Sequence, residues 1–96
     1  MKANQQKHDA GVASWARQIT AAGWSNVWSD LPGNVKPPLI NGHLPDVYAT
    51  HNGYEYVVEI ETSDSLNSSH ALLQKTAFMR WAALAPTRRK FEIRIA

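Results

Sequence analysis

The spacing of apolar residues changes period three times along this chain, and the changes, with the turn residues between strands, predict an αβββαβ order. From His8 to Ala22 the apolar positions Val12, Trp15, Ala16 and Ile19 recur at helical spacing. Gly23 follows as a C′ residue that ends the helix. Asn26 to Leu31 reads as a short strand stopped by Pro32-Gly33-Asn34, and residues 33 to 42 read as a loop around Pro37-Pro38. Residues 45 to 62 then alternate about a central Asn52-Gly53, the strongest short-range signal for a two-residue type I′ hairpin. Residues 63 to 69 are a polar link in which Asn67, Ser68 and Ser69 each suit a helix N-cap. A second helix is expected from His70 to Ala85, stopped by Pro86. Lys90 to Ile95 alternates Phe91, Ile93 and Ile95 with charged residues and predicts a last strand.

The hairpin sorts its side chains onto two faces. Val47, Ala49, Tyr56, Val58 and Ile60 share a core face, and Asp46, Tyr48, Thr50, Val57, Glu59 and Glu61 share the other. A turn at Asn52-Gly53 places His51 opposite Tyr54, and the same register places Asp46 directly opposite Glu59. Glu61 then lies on the same face as Glu59. Opposed Cβ atoms are only about 4.5–5.5 Å apart, so like charges there destabilise the pair. Such a cluster is tolerated when it is well solvated, when one acid is protonated, or when a cation neutralises it. A solvated edge hairpin is the bland reading, but Asp is depleted in strands, and Pro45 suits the first residue of a strand. A register slip of one residue would put Asp46 and Glu59 on opposite faces and leave an ordinary acidic hairpin.

Pro45-Asp46 at the start of one strand, followed by Glu59-Ile60-Glu61 on the next, resembles the motif of the PD-(D/E)XK nuclease superfamily, which includes Holliday junction resolvases and many restriction endonucleases. The resemblance extends over most of the chain. It implies an α/β, restriction endonuclease-like core with a mixed four-stranded sheet flanked by two helices. Strand three reaches strand four through the second helix, so those two run parallel. The match departs at the third motif position, where Glu61 stands in place of Lys.

What the resemblance implies about chemistry is carried residue by residue. Asp46, Glu59 and the backbone carbonyl of Ile60 are the expected ligands of Mg²⁺ or Mn²⁺. Glu61 takes the position of the lysine that orients the attacking water, as a general base or a further ligand. Lys75 is a candidate for the missing positive charge, although one position off the apolar stripe it better suits a solvated surface. Gln74, Phe78, Trp81 and Ala85 follow one helical stripe. An inward Gln74 needs a hydrogen-bond partner, either the local backbone or the site. Lys36 and His43, in the loop before Asp46, are expected to touch a nucleic-acid backbone. Asp9 is the acid on the first helix, and it also suits an N-cap there. His8 and His43 are weak candidates for catalysis, because lone histidines are more often structural. Arg88-Arg89-Lys90 is a basic run, but the topology puts it at the end of the sheet away from the acids. Trp24 and Trp28 offer flat faces to bases, though helix-end and strand positions favour packing.

Composition sets the remaining bounds. The chain has 96 residues, 44% of them hydrophobic, which suits one domain with one modest core and a loose lead over residues 1 to 7. It contains no cysteine, so disulfides and thiolate metal sites are excluded. The four histidines show no zinc-type pairing. There is no membrane-length apolar run and no signal-peptide core, so a cytoplasmic location is expected. A net charge of +2 is milder than dedicated nucleic-acid binders carry. A broad binding surface would therefore need self-association, as a homodimer, or a partner protein. The resulting expectation is a metal-dependent endonuclease-like domain acting on DNA. The alternative is a catalytically inactive nucleic-acid-binding or protein-interaction domain on the same fold.

Overall fold

The computed structural model describes residues 2–96, so Met1 lies outside it. Helix α1 spans Lys2–Ala21, β1 Asn26–Ser29, β2 Val47–His51, β3 Tyr54–Glu61, α2 Ser69–Ala83 and β4 Arg89–Ile95. The sheet order is β1-β2-β3-β4. The first two pairings are antiparallel, and β3 pairs with β4 in parallel. The protein is thus an α/β domain with a mixed four-stranded sheet and two helices. No helix among the described residues is long and apolar enough to cross a membrane.

The hairpin has the register expected from its turn. Asn52 and Gly53 take φ of 50° and 83°, as a type I′ turn requires. His51 pairs with Tyr54 and Val47 with Val58, so the next step outward sets Asp46 against Glu59.

Helix α1 begins at Lys2 rather than His8. The segment from Lys2 to Lys7 is rich in good helix formers but carries no apolar stripe, so periodicity alone cannot detect it. Asp9 is therefore a helix-interior residue and not an N-cap. Gly23 closes α1 as expected, with φ of 104°. Its N–H donates to the Thr20 carbonyl and that of Trp24 to the Ile19 carbonyl, the two bonds of a Schellman motif. Ser68 is the N-cap of α2, its Oγ accepting from the Ala71 N–H at 3.1 Å.

Each face of the sheet has its own core. On one side Val12 and Ile19 of α1 pack against Val47, Ala49, Tyr56, Val58 and Ile60. On the other, Phe78 and Trp81 of α2 pack against Val57 and Ile40, with Tyr48 and Phe91 alongside. The loop before β2 is more ordered than its composition suggested. Asn41 and Gly42, both at positive φ, form a second tight turn, with Ile40 and His43 exchanging backbone hydrogen bonds. Asn41 Nδ2 donates to the Ala77 carbonyl at 3.0 Å, which ties this loop to α2. The Asn-Gly pair was the available signal for that turn.

Helix α1 comes very close to β3 at Gly11. A Cβ there would lie 2.8 Å from Ile60 Cγ2 and 3.0 Å from Ala96 Cβ. Alanine normally gains about 1 kcal/mol over glycine inside a helix. Here the fully buried Ile60 leaves no room, and overpacking of this kind costs about 1–3 kcal/mol. Gly11→Ala should therefore lower stability in a denaturant titration, and a more stable variant would refute this packing.

Candidate active site at the Asp46–Glu59 pair

Asp46 and Glu59 hold each other by reciprocal bonds between carboxylate and backbone. The Asp46 N–H donates to Glu59 Oε2 at 2.7 Å, and the Ile60 N–H donates to Asp46 Oδ2 at 2.8 Å. Both residues are buried, Asp46 at 8% and Glu59 at 3% exposure, which removes the solvated-hairpin reading. Proline at position 45 suits this geometry. It ends the loop without an N–H to satisfy and is itself fully buried.

Burial of two carboxylates side by side has an electrostatic consequence. Desolvation, followed by the Asp46 charge, pushes the Glu59 carboxyl to about 9, far above the ordinary carboxylate range. Glu59 is therefore protonated at neutral pH unless a cation replaces the proton. Glu61, half-buried, accepts from Ser65 Oγ at 2.7 Å. Ser65 is held in turn by the Thr62 N–H at 3.0 Å, so the polar link after β3 fixes the orientation of Glu61.

A cavity of about 190 Å³ opens beside Glu59, and Asp46 is not part of its lining. Glu59, Glu61, Asn67, Leu72, Lys75 and Phe91 are among its lining residues. Lys75, exposed on α2, is a lining residue of the same cavity as the two glutamates. The first turn of α2 borders the cavity at Ala71, and the helix N-terminus adds partial positive charge there. Gln74 is half-buried on α2 and does not line this space.

Two other expected contacts lie elsewhere. Lys36 forms an ion pair with Asp30, whose N–H donates to the Asp46 carbonyl at 2.9 Å. It is thus one hydrogen-bonded residue away from the acid, and its charge is already matched. The His43 ring packs edge-on against Phe78 and faces His70 on α2. It makes no hydrogen bond or ion pair with the acids among the described residues.

His8 has a larger role than a lone histidine suggested. Its Nε2 lies 3.3 Å from Asp46 Oδ1, and its Nδ1 lies 3.2 Å from Asp9 Oδ1. With a carboxylate at each nitrogen, both ring nitrogens act as donors. The hydrogen bond to Asp46 is the main cause that raises the imidazole from 6.5 to about 9, against a smaller opposing effect of burial. A sequence signal existed: His8, Val12 and Ile19 lie on one helical stripe, so His8 faces the sheet.

Among the described residues no group of three His, Asp or Glu side chains stands ready as a metal cage. Magnesium does not need one, since it is commonly held by one or two carboxylates together with waters and substrate phosphate. The donor chemistry at Asp46 and Glu59 fits such an ion, with hard oxygens and a pair whose mutual repulsion a cation would relieve. Comparison of the chain with models of known families, with curated proteins and with solved structures gives no match.

The two raised pKa values act on stability in the same direction. His8 is raised above its unfolded value, so its contribution is complete below pH 6.5 and is lost as pH rises through 9. Glu59 is also raised, so its contribution is complete below pH 4.5 and falls away as pH rises through about 9. Without added metal, the unfolding free energy should therefore drop between pH 6 and pH 9, by roughly 2 kcal/mol after allowance for solvent screening. Urea titrations at the two pH values test this. A Glu59→Gln variant should flatten the slope, and equal slopes in the two proteins would overturn the assignment.

Proposed function

We propose that this domain is a divalent-metal-dependent phosphodiesterase of PD-(D/E)XK type, acting on DNA. The observation that carries the reading is the buried, mutually clamped Asp46–Glu59 pair, whose Glu59 lines a cavity shared with Glu61 and Lys75. Asp46 and Glu59 would hold Mg²⁺ or Mn²⁺, with the Ile60 carbonyl and the substrate phosphate completing the ligands. The bound ion supplies a water of lowered pKa and neutralises phosphate charge.

The side chains have distinct tasks in this reading. Glu61, anchored through one oxygen by Ser65, offers its carboxylate as proton acceptor for the attacking water. Lys75 and the first turn of α2 face the phosphate with positive charge that Glu61 lacks. His8 fixes Asp46 from the α1 side, and Asp9 fixes His8. Loss of the Glu59 proton accompanies metal binding, so affinity rises with pH.

One observation favours a second reading. The His8 imidazolium already supplies a cation to Asp46. An inert acid pair, neutralised internally, would suit a nucleic-acid-binding or protein-interaction domain on the same fold.

Metal-dependent melting and cleavage separate the two. In the enzyme reading, Mn²⁺ or Mg²⁺ at about ten times its Kd stabilises the native state by ~1.4 kcal/mol. For a domain of this size that is roughly 6–11 °C in Tm. Asp46→Asn should abolish the shift, and should reduce cleavage of a panel of single-stranded, nicked and branched DNAs by at least about 100-fold. Glu61→Gln should lower cleavage, by roughly 10²–10⁴-fold if it is the base, while retaining the metal shift. No cleavage together with no metal shift in the wild type would transfer the assignment to the second reading.

A further inference from the structure

Three connections meet at the end of the sheet away from the acids: the turn after α1, the tip of the hairpin and the link into β4. Between them lies a cleft of about 580 Å³, within the range of small-molecule sites. Glu55 on β3 borders this cleft and Glu61 borders the acidic cavity, so the two are about 20 Å apart along the strand.

The lining is aromatic and basic. Trp24 is half-buried, with its ring centroid 5.4 Å from that of Tyr56. Tyr54 is 52% exposed at the hairpin tip. Arg88, Arg89 and Lys90 bring three positive charges, against Glu55 alone. Arg89 Nε donates to Glu55 Oε1 at 3.0 Å, so those two charges cancel inside the wall. Arg88 is exposed and forms no ion pair among the described residues. Lys90 Nζ stands 5.3 Å from the Tyr56 ring centroid, and its side chain is 64% exposed despite a 3.5 Å contact with Glu92.

Both helices end at this cleft, and helix C-termini carry partial negative charge. Their last carbonyls are largely satisfied. Gly23 and Trp24 close α1, and the N–H groups of Arg88 and Arg89 donate to the Ala85 carbonyl beyond α2. The charge left uncompensated is therefore positive. An inorganic anion alone would leave most of this volume and both aromatic faces unused.

We propose that the cleft binds a nucleotide, its base stacked on Trp24 or Tyr54 and its 5′-phosphate held by Arg88 and Lys90. Flat aromatic faces accept any base, and exposed cations give the phosphate contact its salt dependence. A free nucleotide and the end of a single strand present the same chemistry. The proposal is independent of the reading of the Asp46–Glu59 pair, since it concerns binding alone.

The test uses the full chain in EDTA, so that no strand is cut. Titration with 5′-deoxyadenylate and with a short oligothymidylate is followed by calorimetry and by quenching of tryptophan fluorescence. Saturable binding is expected that weakens with added NaCl. Arg88→Glu combined with Lys90→Glu should weaken binding at least tenfold, with circular-dichroism spectra that match the wild type. Tyr54→Ala or Trp24→Phe should reduce affinity severalfold and leave displacement by inorganic phosphate unaltered. Much tighter binding of the oligonucleotide assigns the cleft to strand ends, and equal affinity assigns it to free nucleotide. The proposal fails if neither ligand binds at millimolar concentration. It also fails if inorganic phosphate binds as tightly as the nucleotide, or if the charge-reversed variant binds as the wild type does.

Discussion

Two hydrogen bonds across the base of the hairpin organise this protein. The Asp46 N–H donates to Glu59 Oε2, and Asp46 Oδ2 accepts from the Ile60 N–H. Through them the two carboxylates finish the β2–β3 ladder where the backbone of β2 gives way to proline. The Ile60 N–H bonded to the ionised Asp46 carboxylate makes a hydrogen bond roughly twice as strong as its neutral counterpart. That strength helps hold two acids together where water is excluded. The same bonds fix the carboxylates in orientation, the preorganisation a metal or phosphate site needs.

The rest of the fold closes around this pair. Helix α1 fits onto β3 only because Gly11 has no side chain, and that close approach carries His8 to Asp46. Helix α2 covers the opposite face through Phe78 and Trp81, and its second turn places Lys75 on the lining of the cavity of Glu59 and Glu61. The parallel crossover from β3 to β4 keeps the basic link at the far end of the sheet. Acidic and basic chemistry are thereby separated along one strand, with Tyr54 and Glu55 at one end and Glu59 and Glu61 at the other.

Much of this was legible in particular residues. Asn52-Gly53 gave the turn, the turn gave the register, and the register paired Asp46 with Glu59. Ser68 and Gly23 marked helix ends through their side-chain and backbone chemistry. The early start of α1 carried no periodic signal, because Lys2 to Lys7 includes a single apolar residue, Ala3, and one residue sets no period. Asn41-Gly42 was a readable turn inside a segment taken for plain loop. His8 lay on the buried stripe of its helix, but its partner is far away in the chain, and only the docking of α1 decides which side chain it meets.

Local features are legible in the chain: which residues form strands, where they turn, and which side chains face each other across a two-residue hairpin. Period-two alternation and one tight turn are enough for that, because each fixes the next residue from the last. Only the tertiary structure decided the state of the acids. Whether Glu59 is solvated or buried, protonated or ionised, depends on both helices closing over the sheet. Desolvation and the His8 imidazolium arise from elements that contact the hairpin in space and not along the chain.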